Sequence, residues 1–199
     1  MSVCAEGSRS AERVTLLLDN GIRLRFRSIR AADREGLRAL FERLGPESRL
    51  RRFLTNKPTL TPRELTYFSE VDHVTHEALV AIDHGDGSIA GVARYVSYED
   101  RIGVADFAVT VADELHNMGI GTALARRVVD GARCNGFEVL TASTLWENRP
   151  ARALLKKLGF RPISSAGTEI DYQLNLGPAG LEAPVAVWRA DDLARPIAS

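Results

Sequence analysis

The stretch from Val109 to Thr122 constrains this chain more than any other. Val109, Thr110 and Val111 read as the end of a β-strand, a short turn follows, and Gly119 and Gly121 open a helix. Ile120, Leu124, Val128 and Ala132 recur every fourth residue along it, one apolar face. A strand running straight into an amphipathic helix demands a sheet with that helix laid back on it. Glycines at the turn let a ligand approach the backbone. The unpaired N–H groups of the first helical turn, aided by the helix dipole, then form a phosphate cradle. Glycines also open helices for packing reasons, so the spacing alone leaves both uses open.

Other segments supply the layers such a unit needs. Val14–Leu18, the turn pair Asn20-Gly21 and Ile22–Ile29 read as a hairpin. Asp33 is a candidate N-cap for a helix to about Leu44, with Leu37, Leu40, Phe41 and Leu44 on one face; Gly45-Pro46 ends it. Two short helices are expected at Glu47–Leu54 and Pro62–Phe68, the second capped by Thr61. Ala78–Ile82 and Ile89–Val96 flank a turn at 83–87 and predict an antiparallel pair, and Gly103–Val111 adds a strand. Beyond the helix over 119–135 come a strand at Phe137–Leu145, a helix at Arg149–Leu158 closed by Gly159, and a strand at Glu169–Leu176. Helices, then antiparallel strands, then βαβα predict an α+β, or mixed α/β, sheet. One domain is expected over 14–176, with a flexible segment at 1–13 and a tail at 177–199.

Composition excludes several classes. Lys and Arg number 26 against 26 Asp and Glu, so no net field draws nucleic acid or an anionic membrane. Apolar runs such as Val14–Leu18 are too short to span a bilayer, and residues 1–13 lack the apolar stretch of a secretion signal. Cys4 and Cys134 make neither a disulfide framework nor a metal-ligand pair. His73 and His76 read as surface residues and Cys134 as a small packing residue in its helix. The expectation is a soluble cytoplasmic protein without a metal. The zero net charge conceals blocks, however. Residues 64–115 hold 11 acidic and 2 basic side chains, between basic stretches at 21–63 (12 basic, 4 acidic) and 116–161 (8 basic, 3 acidic).

A second motif follows the strand Val139–Leu145: Glu147-Asn148-Arg149-Pro150-Ala151-Arg152-Ala153-Leu154-Leu155-Lys156-Lys157-Leu158-Gly159-Phe160. With the Gly119-Ile120-Gly121 turn it resembles the GNAT superfamily of N-acetyltransferases, over about residues 22–161. The resemblance implies the GNAT acyl-CoA N-acyltransferase fold, a largely antiparallel central sheet with a splayed parallel pair flanked by helices. Acetyl-CoA is the implied co-substrate and a primary amine the acceptor. The backbone of His116, Asn117, Met118, Gly119, Ile120, Gly121 and Thr122 would hold the CoA pyrophosphate, with His116 standing where the family has Arg or Gln. Val109 and Val111 would lie along the pantetheine amides in imitation of β-ladder bonding. Asn148 matches the family's cofactor-contacting Asn and is equally suited to capping a helix ahead of Pro150.

The implied reaction is attack of an amine on a thioester. A lysine amine with a pKa of about 10.4 is mostly protonated at neutral pH, so a base contributes about 10²–10⁴-fold. Asp106 is the candidate base, a carboxylate between Ala105 and Phe107 in an otherwise apolar strand. A solvated residue at a strand edge is the plain alternative. Leu155 stands where many relatives carry a Tyr acid, leaving the thiolate to depart unassisted or through water.

Ile29-Arg30-Ala31-Ala32-Asp33, Leu44-Gly45-Pro46-Glu47-Ser48-Arg49, Arg52-Phe53 and Asp106-Phe107-Ala108-Val109 further resemble the Pat-type bacterial protein lysine acetyltransferases. In that group the strand carboxylate is the base and is usually Glu. Asp106 is one methylene shorter, which favours a bridging water. A protein lysine, such as that of an acyl-CoA synthetase, is the implied acceptor. The acidic block, with Asp72, Glu77 and Asp113, is then expected around the acceptor cleft, and the basic 116–161 block around the phosphate loop. Arg49, Arg51 and Arg52 read as a solvated or partner-facing surface, with contact to a protein acceptor or to the adenosine phosphate as the sharper alternative. Small amines as acceptors, or a non-catalytic acyl-CoA sensor, are the competing functions.

Overall fold

The computed structural model describes residues 15–18 and 20–177. The expected segment at 1–13, and all of the expected tail but Gly177, lie outside the described residues. The strands are β1 (Thr15–Leu17), β2 (Arg23–Ser28), β3 (His76–Asp83), β4 (Ile89–Ser97), β5 (Val104–Val111), β6 (Val139–Leu145), β7 (Arg161–Ala166) and β8 (Glu169–Asn175). The α-helices are α1 (Arg34–Glu42), α2 (Pro46–Phe53), α3 (Pro62–Ser69), α4 (Ile120–Cys134) and α5 (Arg149–Lys157).

Among the described residues, the eight strands form one sheet in the order β1-β2-β3-β4-β5-β6-β8-β7. Every pairing is antiparallel except β5 with β6, the arrangement expected from the sequence. β3 and β4 are buried along most of their length because helices cover both faces. On one face lies α4, burying Ile120, Leu124, Val128 and Val129. Burial of those four side chains contributes on the order of 6–12 kcal/mol. Gly91 permits this approach, since a Cβ there would meet Leu124 Cδ1 at 3.1 Å and the Thr110 carbonyl oxygen at 2.8 Å. The opposite face carries α1, α2 and α3 through Leu37, Leu40, Phe41, Phe53, Leu65 and Phe68, all buried.

Several local readings need correction. Asp33 makes no side-chain cap on α1; its carboxylate instead takes a two-pronged bond from Arg27 (2.6 and 2.7 Å) and the Arg30 amide (2.8 Å). A guanidinium within reach outcompetes a single amide. Thr61, by contrast, caps α3 as expected, in a reciprocal box with Glu64. β7 was not expected at all: it is an edge strand, exposed along its whole length and interrupted by Pro162, so it lacks the alternation that marks a half-buried strand. His76 is buried, not on the surface, and Cys134 is exposed, not packed.

Candidate active site

The parallel pair is short. β5 and β6 pair only at Val104↔Val139, Ala105↔Leu140 and Asp106↔Thr141, after which they part. α2 reaches β6 across this opening, and β5, α2, α4 and α5 enclose a cleft of about 420 Å³. That is the size of a small-ligand site.

Val109 and Val111 line the cleft from β5, and Asn148 lines it from the start of α5. His116, Asn117, Gly119, Ile120, Gly121 and Thr122 line it from the loop and first turn of α4. Met118 alone among the expected loop residues does not; its sulfur receives the Asn20 side-chain amide at 3.6 Å. Asn117 and Gly119 both adopt positive φ (64° and 80°), which turns the chain tightly into the helix. Gly119 is the N-cap and has no side chain to cap with. The amides of Ile120, Gly121 and Thr122, which no helix can pair internally, are therefore left for a ligand in the cleft. This is where the residues present fit an acyl-CoA: donors for a pyrophosphate beside apolar walls. Thr110 adds a buried hydroxyl for which no partner exists among the described residues.

His116 turns its ring back, Nε2 lying 2.9 Å from the Val111 carbonyl oxygen and 3.6 Å from Asp113 Oδ1. Asn148 is 1% exposed and accepts the Ala151 amide at 3.2 Å, so it caps α5 and lines the cleft at once. Positive charge arrives mostly from α2. Arg51 and Arg52 line the cleft, as does Lys157, whereas Arg49 braces the α1–α2 corner through the carbonyls of Pro58 and Glu42. Arg52 is 2% exposed, with its guanidinium 4.3 Å over the Phe53 ring. Arg51 and Arg52 therefore do not form the solvated surface expected of them, and Arg51 also pairs with Glu47 at 2.6 Å.

Asp106 does not line this cleft; it sits at the last paired position, on the face turned toward α3. Tyr98 and Thr141 approach its Oδ1, each at 3.4 Å, and lie 3.0 Å from one another. Tyr67 from α3 senses it: burial holds the Tyr67 phenol above its ordinary range, and the Asp106 charge adds to that against Arg94. Leu155 is fully buried in the core.

The three carboxylates singled out from the acidic block are each engaged in local bonds. Asp72 accepts the amides of Val74, Thr75 and His76, and together with the Thr75 hydroxyl these outweigh burial and pull its pKa down to about 2. Glu77 holds His73 and the Ala78 amide, and Asp113 accepts the Gly45 amide at 2.8 Å. These carboxylates tie loops together. Among the described residues no three His, Cys, Asp or Glu side chains form a metal-holding group, and no helix is long and apolar enough to cross a membrane.

Comparison with known proteins supports the same fold. A family model described as the acetyltransferase (GNAT) family matches residues 46–160. Acetyltransferase PA5475 of Pseudomonas aeruginosa is 34% identical over 145 residues, 72% of this chain and 77% of that protein. The crystal structure of the GNAT domain of S. lividans PAT superposes with a TM-score of 0.74 at 23% identity, covering 82% of this chain and 96% of that one. The yncA protein of Salmonella typhimurium, solved with its cofactor acetyl-CoA, gives 0.64 at 19% identity over 81% of this chain and 97% of its own.

Proposed function

Because the chain belongs to the GNAT acetyltransferase family, we propose that it transfers an acetyl group from acetyl-CoA to a protein lysine, with Asp106 as general base. The observation that carries this reading is the meeting of two sites at one parting of strands. Loop amides, Asn148 and the α2 arginines line the cleft on one side of the opening between β5 and β6. A half-buried carboxylate stands where those strands last pair.

In this reading the pyrophosphate rests on the amides following Gly119, and Arg51, Arg52 and Lys157 offset its remaining charge. Asp106 takes one proton from the acceptor ammonium, directly or through one water. The freed nitrogen forms a bond to the thioester carbonyl carbon, the carbon–sulfur bond breaks, and the nitrogen's second proton leaves to solvent. Leu155 offers no acid for the departing sulfur, so the thiolate leaves as the anion or takes its proton from water. Lysine is favoured over a small amine by the Arg52-Phe53 and Asp106-Phe107-Ala108-Val109 segments, which resemble the Pat-type enzymes.

The test is thiol release from acetyl-CoA by the full chain, with lysine-bearing proteins, N-terminal peptides and small amines as acceptors. Acetyl-lysine in the protein products is the expected result. Turnover confined to small amines overturns the acceptor, and acetyl-CoA binding without turnover on any acceptor overturns the enzyme reading.

A further inference from the structure

The contacts around Asp106 have a proton count that does not match their number. Tyr98, Thr141 and Asp106 Oδ1 form a triangle with edges of 3.0, 3.4 and 3.4 Å. Three edges require three hydrogens if all act at once, but two hydroxyls carry only two. Three arrangements point both hydrogens inward, but the one in which both hydroxyls donate to the carboxylate leaves the shortest edge, 3.0 Å, without a hydrogen, so two remain. Either Tyr98 donates to Thr141 and Thr141 to the carboxylate, or Thr141 donates to Tyr98 and Tyr98 to the carboxylate. Both are chains of two O–H groups ending on the same oxygen, and each polarises the next bond toward the anion.

The fold places this triangle deliberately with respect to the strands. Asp106 faces Val96 on β4 and Thr141 on β6, at the last pair before β5 and β6 part. Tyr98 lies two residues past Val96, and its amide still donates to the Val104 carbonyl at 3.1 Å, so it stays on the Asp106 face. Arg101 stacks on the Tyr98 ring at 4.8 Å and holds it there. Tyr67 from α3 and Arg94 from β4 lie on the same face; burial raises the Tyr67 phenol and lowers the Arg94 guanidinium, and their mutual attraction opposes both shifts.

We propose that Tyr98 and Thr141 are positioning residues that share one hydrogen-bond donation to Asp106 Oδ1 and hold its carboxylate as the anion. The role rests on the reading of Asp106 as base, because an anion is what must receive the acceptor's proton. A shared donor has a signature. Removing one hydroxyl leaves the other to donate directly, so little is lost. Removing both leaves the carboxylate without either donor.

The experiment follows the Asp106 carboxyl carbon by NMR in the full chain, labelled at aspartate, across a pH titration; Asp106→Asn assigns the resonance. Tyr98→Phe and Thr141→Val are each expected to raise the midpoint slightly. The double variant raises it by about one pH unit, which is about 1.4 kcal/mol, and by more than the two singles together. Thr141→Ser, which keeps the hydroxyl, titrates as the wild type. A double-variant shift no larger than the sum of the singles, or a Thr141→Ser variant that behaves as Thr141→Val, overturns the proposal. These outcomes need no acceptor, so they stand apart from the base reading, which falls separately if Asp106→Asn turns over at the wild-type rate.

Discussion

Replacing His76 by glutamine probes the buried layer between the sheet and α3. His76 is 8% exposed, and its Nε2 lies 2.8 Å from Arg94 Nη1. A guanidinium only donates, so Nε2 accepts and the neutral ring carries its proton on Nδ1. Arg94, itself 1% exposed, also donates to the Phe68 carbonyl at 3.2 Å. Burial first, and the Arg94 charge second, pull the His76 pKa down to about 3. In the unfolded chain a histidine titrates near about 6.5, so as pH falls the unfolded state binds the proton first. The contribution of His76 to stability is therefore complete above about pH 6.5 and is lost between there and about pH 3. Passing from about pH 7.5 to about pH 5 should remove about 2 kcal/mol through this one group. Because the folded ring stays neutral throughout that interval, the figure depends on the unfolded value alone. Glutamine keeps an acceptor for Arg94 and does not titrate. Urea unfolding of both proteins at the two pH values should show the wild type losing about 2 kcal/mol more than His76→Gln. Losses that agree to within about 0.5 kcal/mol would refute the neutral, arginine-facing histidine.

Gly91→Ala should cost about 1–3 kcal/mol in denaturant unfolding, since its Cβ meets a backbone oxygen at 2.8 Å. Because that oxygen belongs to Thr110, the same variant should weaken acetyl-CoA binding in calorimetry. Asn148→Ala removes the acceptor of the Ala151 amide and should lower stability by about 1 kcal/mol while raising the acetyl-CoA KM. Asn148→Asp keeps the cap, so thermal unfolding should separate the two roles. Leu155→Tyr should lower stability by about 1–3 kcal/mol without raising kcat, because the side chain faces the core and not the cleft.

What was legible in the sequence follows from how far each signal reaches. The helix over 119–135 and the strand over 103–111 were readable because their apolar periods are long and both faces of the sheet are covered. Edge strand β7 was not, since an exposed strand has no burial pattern to write into its residues. The cleft loop was legible from Gly119 and Gly121, but the direction of the Met118 side chain depends on Asn20, some 98 residues away. The local work of the acidic block was not legible either: Asp72, Glu77 and Asp113 each satisfy amides, which a count of charges does not register. Tyr98 could have been found by counting along the β4–β5 hairpin, which sets it on the Asp106 face. Thr141 could not, because the parallel register of β5 and β6 is set by the intervening helix and has no turn to count from.

The central claim is that Asp106 removes the acceptor's proton while a separate set of groups holds acetyl-CoA. Steady-state transfer by Asp106→Asn, alongside calorimetric binding of acetyl-CoA, tests it most directly. Asparagine matches the carboxylate in shape and takes up no proton. The account predicts a fall in kcat of about 10²–10⁴-fold with acetyl-CoA affinity unchanged. A variant that turns over at nearly the wild-type rate, or one that loses acetyl-CoA binding along with activity, would contradict it.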